Sequence, residues 1–323
     1  MDVIITGVAG FIGSNLAKAL LQDKQNRVIG IDDLSHGSLY NIKSIESNKN
    51  FTFLNENVKN ENVLSKLKGD CVVHLASQKI PRYTSALITL EENSAMLKVV
   101  VKKCLNDKIK LVFASTSDVY GKNPDIPYKE TSNILLGATT VKRWAYAISK
   151  IYSEQYIIAN KDEHNLEYTI MRFFGSYGPN QNLTWWGGPQ SVFIANALLN
   201  KPVEIHGDGM QTRTFTYVDD TIQGVIKCIF EEKAKNEIFN IANNPEEEIT
   251  ILGLGQMIWK IIHGDQSKPL VNFIPYSTFG NYEDVKRRVP DITKIKEMLR
   301  YDPKFSLAVG MTKTIDWQKK LTA

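Results

Sequence analysis

The chain has 323 residues, 43% of them hydrophobic and 23% charged, with 39 basic against 35 acidic side chains and a formal net charge of +4. A chain of this length buries roughly three-quarters of its extended surface, so no disulfide or metal staple is needed. So small a charge excess, scattered without blocks, argues against a nucleic-acid or membrane partner and suits a small anionic ligand. Cys71, Cys104 and Cys228 lie far apart in apolar segments with no CxxC, which reads as buried thiols in a reducing cytosol. No segment approaches the roughly 18 apolar residues of a membrane span, the first apolar stretch runs straight into glycines, and no His/Cys/Asp spacing resembles a metal site. A soluble cytoplasmic protein is expected.

Short β-branched runs alternate with amphipathic stretches from Asp2 to about Arg172, the pattern of βαβ units and a parallel sheet. Strands are expected near 2–6, 27–31, 51–54, 71–74, 110–114 and 167–172, with helices near 11–22, 60–67, 84–106 and 141–163. This is a doubly wound α/β sheet. Beyond Arg172, glycines and prolines punctuate a loop-rich stretch that contains Trp185 and Trp186. Helices are expected near 190–200 and 250–263, and the runs near 214–217 and 237–241 read as strands or strand ends returning to the first part. Core packing is the favoured role for the two tryptophans, with stacking on a ligand as the alternative.

The strand Val3-Ile4-Ile5-Thr6 ends in Gly7-Val8-Ala9-Gly10-Phe11-Ile12-Gly13, and an amphipathic run follows. Strand, glycine turn and helix in this order bring the backbone close to a pyrophosphate, whose charge the helix N-terminal amides stabilise. Asp32 stands at the end of the next strand, nineteen residues beyond Gly13. A carboxylate there accepts from a ribose 2′-OH and repels a 2′-phosphate, which favours NAD over NADP. Tyr146 and Lys150 are four residues apart in an apolar-periodic helix and share one face. A nearby ammonium and a nicotinamide cation favour phenolate, so the pair is expected to lower the Tyr146 pKa toward that of a general base. Upstream, Leu111-Val112-Phe113-Ala114 delivers Ser115-Thr116-Ser117-Asp118 to the carboxyl end of the sheet, where open α/β folds place ligands.

Together these features resemble the extended short-chain dehydrogenase/reductase family, in its NAD-dependent nucleotide-sugar epimerase, dehydratase and decarboxylase branch. The resemblance spans nearly the whole chain, through Gly7-x-x-Gly10-x-x-Gly13, His74-Leu75-Ala76, Ser115-Thr116-Ser117-Asp118-Val119-Tyr120-Gly121 and Tyr146-x-x-x-Lys150. It continues in Arg172-Phe173-Phe174-Gly175-x-Tyr177-Gly178-Pro179, in Gly207-Asp208-Gly209-x-Gln211-Thr212-Arg213, and in Arg287-Arg288-x-Pro290-Asp291. It implies a Rossmann doubly wound sheet at 1–174, rejoined by 211–243, and a smaller C-terminal α/β sugar-nucleotide-binding region at 175–210 and 244–323. It further implies that Tyr146 is the base for a sugar hydroxyl whose C4 hydride passes to NAD, that Thr116 binds that hydroxyl, and that Lys150 holds the nicotinamide ribose. Cofactor contacts are implied at Phe11, Ile12, Asp33, Asn57, Val58, Leu75, Ala76, Lys79, Asn93 and Ser115, and substrate contacts at Ser117, Gly175 and Gln190, with Arg213 and Arg288 clamping the diphosphate. A homodimer is implied, built from the helices near 84–106 and 141–163.

Three positions depart from the family. Gly175 replaces a usual Asn that contacts substrate, Asn57 replaces an Asp of the adenine pocket, and Asp118 is one methylene shorter than the Glu of dehydratases and sugar-acid decarboxylases. The leading reading is a nucleotide-sugar 4-epimerase. The alternatives are a 4-dehydrogenase that releases the keto sugar, a 4,6-dehydratase or decarboxylase that recruits Asp118, and, from another class, a non-catalytic NAD-binding sensor. The intact Thr116, Tyr146 and Lys150 argue against the sensor.

Overall fold

A computed structural model describes residues 1–79 and 85–322. Its centre is a seven-stranded parallel sheet containing β1 (Asp2–Thr6), β2 (Arg27–Asp32), β3 (Phe51–Asn55), β4 (Cys71–His74), β5 (Lys110–Thr116), β6 (Tyr168–Phe173) and the strand Glu237–Ile241. Glu237–Ile241 lies at one edge, followed by β6, β5, β4, β1, β2 and β3. Strand order therefore reverses between β1 and β4, the switch point at which a Rossmann fold opens a crevice. β4 and β5 are buried along their whole length. Helices cover both faces, which is why these strands read as continuous apolar runs rather than alternating ones.

The helix Phe11–Leu20 buries Leu16, Ala17 and Leu20 completely or nearly so, and this anchors the glycine turn at its N-terminus. Truncating Leu16 to Ala would cost about 2–5 kcal/mol by the usual range for buried leucines. On the other face, Ala86–Asp107 and Trp144–His164 pack side by side, and both end in a left-handed residue, Lys108 and Asn165. Ser85 Oγ caps the first of these by accepting from the Ile88 amide at 3.3 Å. The expected start of that helix at Thr84 lies outside the described residues. The helix expected near 60–67 is a single turn, Glu61–Leu64. The run near 214–217 divides at Phe215 into Thr212–Thr214 and Thr216–Tyr217, the latter pairing in parallel with Ser176–Tyr177. Thr212–Thr214 lies between Glu248–Thr250 and Arg287–Arg288. With the helix Pro189–Leu198, these short strands wall the side of the crevice facing β5.

All three cysteines are buried free thiols, as expected. Among the described residues no helix is long and apolar enough to cross a membrane.

Candidate active site

A cleft of about 820 Å³ opens at the switch point and runs from the glycine turn to the Arg213 strand. At one end, Gly7 adopts φ +74° with its α-carbon against the Leu75–Ala76 backbone, and a Cβ there would lie 2.8 Å from the Ala76 nitrogen. A Cβ on Gly13 would run into the Gly7 carbonyl oxygen. Gly10 begins the helix with no side-chain cap, which leaves the first-turn amides available to an anion. Asp32 is buried, and it accepts from the amides of Ala9 and Leu34, both at 2.9 Å. Burial pushes its carboxyl above the ordinary value, and those amides oppose the shift. Phe11, Ile12, Asp33, Asn57, Val58, Ala76 and Lys79 line the same end. A glycine turn that admits no side chain, uncapped amides and a buried carboxylate beside them fit a dinucleotide.

Asn93 is different. Its Oδ1 accepts from the Gln78 amide at 2.8 Å, and its Nδ2 donates to the Gln78 carbonyl at 2.9 Å and to Ser149 Oγ at 3.0 Å. These bonds consume the amide, and Asn93 braces the loop after β4 from behind the residues that line the cleft. His74, at the end of β4, is structural too: Thr6 Oγ1 lies 2.7 Å from its Nδ1, and burial lowers its pKa to about 3.

At the centre, β5 and the short turn Ser117–Tyr120 that follows it present Ser115, Thr116, Ser117 and Asp118 to the helix that carries Tyr146 and Lys150. The hydroxyls of Thr116 and Ser77 face the Tyr146 phenol and favour its ionised form. Ser77, directly after the His74-Leu75-Ala76 run, went unnoticed in the sequence because a serine in a loop carries no signal of its own. Lys150 Nζ donates to the Ala114 carbonyl at 2.8 Å, and burial holds its pKa down to about 7 while Glu154 pulls it up. The expected lowering of the Tyr146 pKa is absent from the protein alone. Burial raises it and the Asp118 charge adds to this, outweighing the two hydroxyls and Arg288. Lys150, 5.9 Å from the ring, does not offset them.

Beyond the phenol lies a cluster that the sequence did not disclose. Asp118 Oδ1 accepts from Arg143 at 3.0 Å and from Arg288 at 2.6 Å, while Asp284 Oδ1 accepts from Arg143 at 2.8 Å and Arg213 at 2.9 Å. The three guanidiniums are at most 14% exposed. Burial pushes the Asp118 carboxyl up, yet Arg288, Arg143 and Arg213 together hold it below its ordinary value. Asp118 is thus an ionised anchor for arginines in this state, not a poised acid. Three cations against two anions leave one positive charge in excess, and Arg288 Nε is buried without a partner. Gln190, also in the wall, donates to the Gly187 carbonyl at 2.9 Å and leaves its buried Oε1 unpartnered. Both atoms suit an incoming polar ligand. Gly175 takes φ +50°, and a Cβ there would meet the Thr214 carbonyl oxygen at 2.9 Å, so the strand leaves no room for the family's Asn. Among the described residues no His/Cys/Asp/Glu group could hold a metal ion.

The profile of the NAD dependent epimerase/dehydratase family matches residues 3–242. The chain is 34% identical over 323 residues to the UDP-N-acetyl-alpha-D-glucosaminuronate decarboxylase of Bacillus cytotoxicus, covering 98% of each. The fold is similar to that of the UDP-glucuronic acid 4-epimerase from Bacillus cereus solved with UDP-glucuronic acid and NAD, with TM-score 0.88, 29% identity and coverage of 99% of this chain and 100% of that one. It is likewise similar to the UDP-glucose 4-epimerase of Thermotoga maritima solved with UDP-glucose, with TM-score 0.88, 28% identity and 100% coverage of both chains.

Proposed function

Because the chain belongs to the NAD dependent epimerase/dehydratase family, we propose that it oxidises C4 of a nucleotide-linked hexuronate with NAD and releases the C6 carboxylate as carbon dioxide. The observation that carries this reading is the Arg143–Asp118–Arg288 cluster beside Tyr146. Arg143 lies three residues before Tyr146, so its side chain occupies the next turn of the same face. A sugar whose C4 oxygen meets Tyr146 then places its C5 substituent toward a guanidinium. A carboxylate is the substituent that a surplus buried cation selects.

Bound in the glycine cradle, NAD supplies a reversible acceptor for the C4 hydride. Tyr146 takes the C4 hydroxyl proton and Thr116 holds the oxygen. With C4 a ketone, the C6 carboxylate is β to it: the C5–C6 bond breaks, its electron pair passes through C5 to the C4 oxygen, and carbon dioxide leaves. Thr116 and the protonated Tyr146 donate to that enolate oxygen. C5 then takes a proton delivered from water, and C4 is reduced again, so no external oxidant is consumed. The family's diphosphate role for Arg213 fits its place at the far end of the cluster, whereas Arg288, on Asp118, lies nearer the sugar. The relatives named for hexuronates support the substrate class.

The second reading, 4-epimerisation without loss of carbon, is favoured by the shorter reach of Asp118 and by the likeness to the B. cereus epimerase. The test is incubation with UDP-glucuronic acid, UDP-N-acetylglucosaminuronic acid and UDP-glucose, with products identified by mass and NMR. Loss of carbon dioxide from either hexuronate is expected. An isomer of unchanged mass would overturn decarboxylation in favour of the epimerase, and loss of two hydrogens or of water would overturn both. A homodimer is part of the same proposal: Leu87, Ile88 and Leu90 on one helix, and Ile148 and Tyr152 on its neighbour, are exposed apolar side chains on adjacent helices.

A further inference from the structure

The adjacent tryptophans serve different ends. Trp185 packs edge-on to Phe193 and stacks on His206 at 4.2 Å, joining the core as expected. Trp186 departs from that expectation. Its ring stacks on His36, with centroids 3.8 Å apart and planes at 21°.

These two rings come from opposite banks of the cleft. His36 belongs to the loop after β2, which folds back onto the glycine turn through the Ser38 amide, donated to the Ala9 carbonyl at 3.0 Å. Trp186 sits in the turn before the helix Pro189–Leu198, where its amide donates to Thr184 Oγ1 at 3.2 Å and Gln190 fastens the neighbouring Gly187. A third bank joins them: His36 Nε2 lies 3.1 Å from Gln78 Oε1, and Lys79 Nζ is 5.9 Å from the Trp186 ring centre. Gln78 and Lys79 follow Ala76, whose backbone abuts Gly7. The floor between the three banks is the glycine turn, where a pyrophosphate would lie.

We infer that Trp186, stacked on His36, clasps the mouth of the dinucleotide groove and retains NAD on the protein between turnovers. A dinucleotide threaded along the groove passes beneath the ring pair, and its departure requires the stack to open. Retention matters for a redox-neutral cycle, since the reduced cofactor must stay until the hydride returns, but the clasp itself depends only on cofactor binding and not on which sugar reaction follows.

The test is cofactor exchange. Full-length protein carrying NAD is mixed with excess isotope-labelled NAD, and bound label is followed by rapid desalting and mass spectrometry. Trp186→Ala and His36→Ala are each expected to speed exchange about two- to tenfold, the range that one aromatic pair supports. Trp186→Phe should fall between these and the native rate, and the double variant should exchange no faster than Trp186→Ala, because either change opens the same stack. Unchanged exchange in both single variants overturns the clasp. So does weakened UDP binding by Trp186→Ala with unchanged exchange, which would assign the indole to substrate. Should Trp186→Ala fail to fold, His36→Ala decides alone, since His36 lies in an exposed loop position.

Discussion

Beneath β5 lies an ion pair whose removal yields a large and specific effect. Arg172 on β6 donates to Glu154 at 3.0 Å and 2.6 Å, Ser115 donates to the same carboxylate, and the two charged side chains are 6% and 5% exposed. Glu154→Gln keeps the shape but removes the carboxylate charge paired with Arg172 in the interior; the Glu130 carbonyl, 3.0 Å from its Nη1, and the new amide oxygen can still accept from it, but as neutral groups. Breaking one side of a buried pair costs about 3–5 kcal/mol. In a chain of this size that lowers the melting temperature by roughly 4–7 °C. Calorimetric or circular-dichroism melts of Glu154→Gln measure it directly. The double variant Glu154→Leu with Arg172→Met removes both charges and should recover much of the loss, because the desolvation cost disappears with them. Glu154 also raises the Lys150 pKa against burial. Glu154→Gln should therefore leave less ammonium at pH 7, seen as a fall in kcat at pH 7 that is partly restored toward pH 6. A Glu154→Gln protein that melts within about 2 °C of the native one would refute this account, since that falls below the smallest cost a stranded buried guanidinium carries.

Tyr146→Phe removes the proton acceptor and should lower kcat by about 10²–10⁴ while leaving bound NAD in place; a loss under tenfold would take the base role from Tyr146. Arg143→Gln should raise KM for a UDP-hexuronate about 10- to 100-fold, the worth of a charged hydrogen bond, and change KM for UDP-glucose little. Equal effects on both substrates would assign Arg143 to the diphosphate. His74 has a folded pKa of about 3 against an ordinary 6.5, so between those values only the unfolded chain takes up the proton. Its contribution is fully present above pH 6.5 and is lost as pH falls toward 3, by at most about 5 kcal/mol. His74→Gln should flatten the fall in urea midpoint between pH 6 and pH 4, and an unchanged slope would count against a neutral buried His74.

What was legible in the sequence was what backbone chemistry makes local. A strand that ends in glycines and opens a helix announces a phosphate site within a dozen residues, and Asp32 lies one strand further on. The charge cluster could not be seen this way. Asp118, Arg143 and Asp284 are brought together from separations of 25 and 141 residues, and an arginine near a helix start ordinarily reads as solvated. The one usable signal was periodicity: three residues before the proposed base, Tyr146, is the same helical face. Trp185 and Trp186 eluded a single reading for a different reason. In a turn, neighbouring side chains diverge, so one indole enters the core while the next crosses the cleft to His36.

Gly175 and the arginines bear on one question, how a substrate is recognised where the family's Asn is missing. At φ +50° an Asn is conformationally tolerable, but the Thr214 carbonyl stands 2.9 Å from where its Cβ would be, so the strand Thr212–Thr214 has taken the space. That strand carries Arg213, and its register with Arg287–Arg288 sets Arg288 beside Arg213. The approach that excludes an amide is the one that concentrates guanidinium charge. An amide discriminates by hydrogen-bond geometry and accepts neutral hydroxyls, whereas buried guanidiniums gain most from an anion. A Gly175→Asn variant should consequently push the strand outward, loosen the Arg213–Asp284 and Arg288–Asp118 pairs, and narrow the preference for hexuronates over neutral sugars. The ratio of kcat/KM for UDP-glucuronic acid to that for UDP-glucose measures this, and an unchanged ratio would separate the loss of the Asn from the gain of charge.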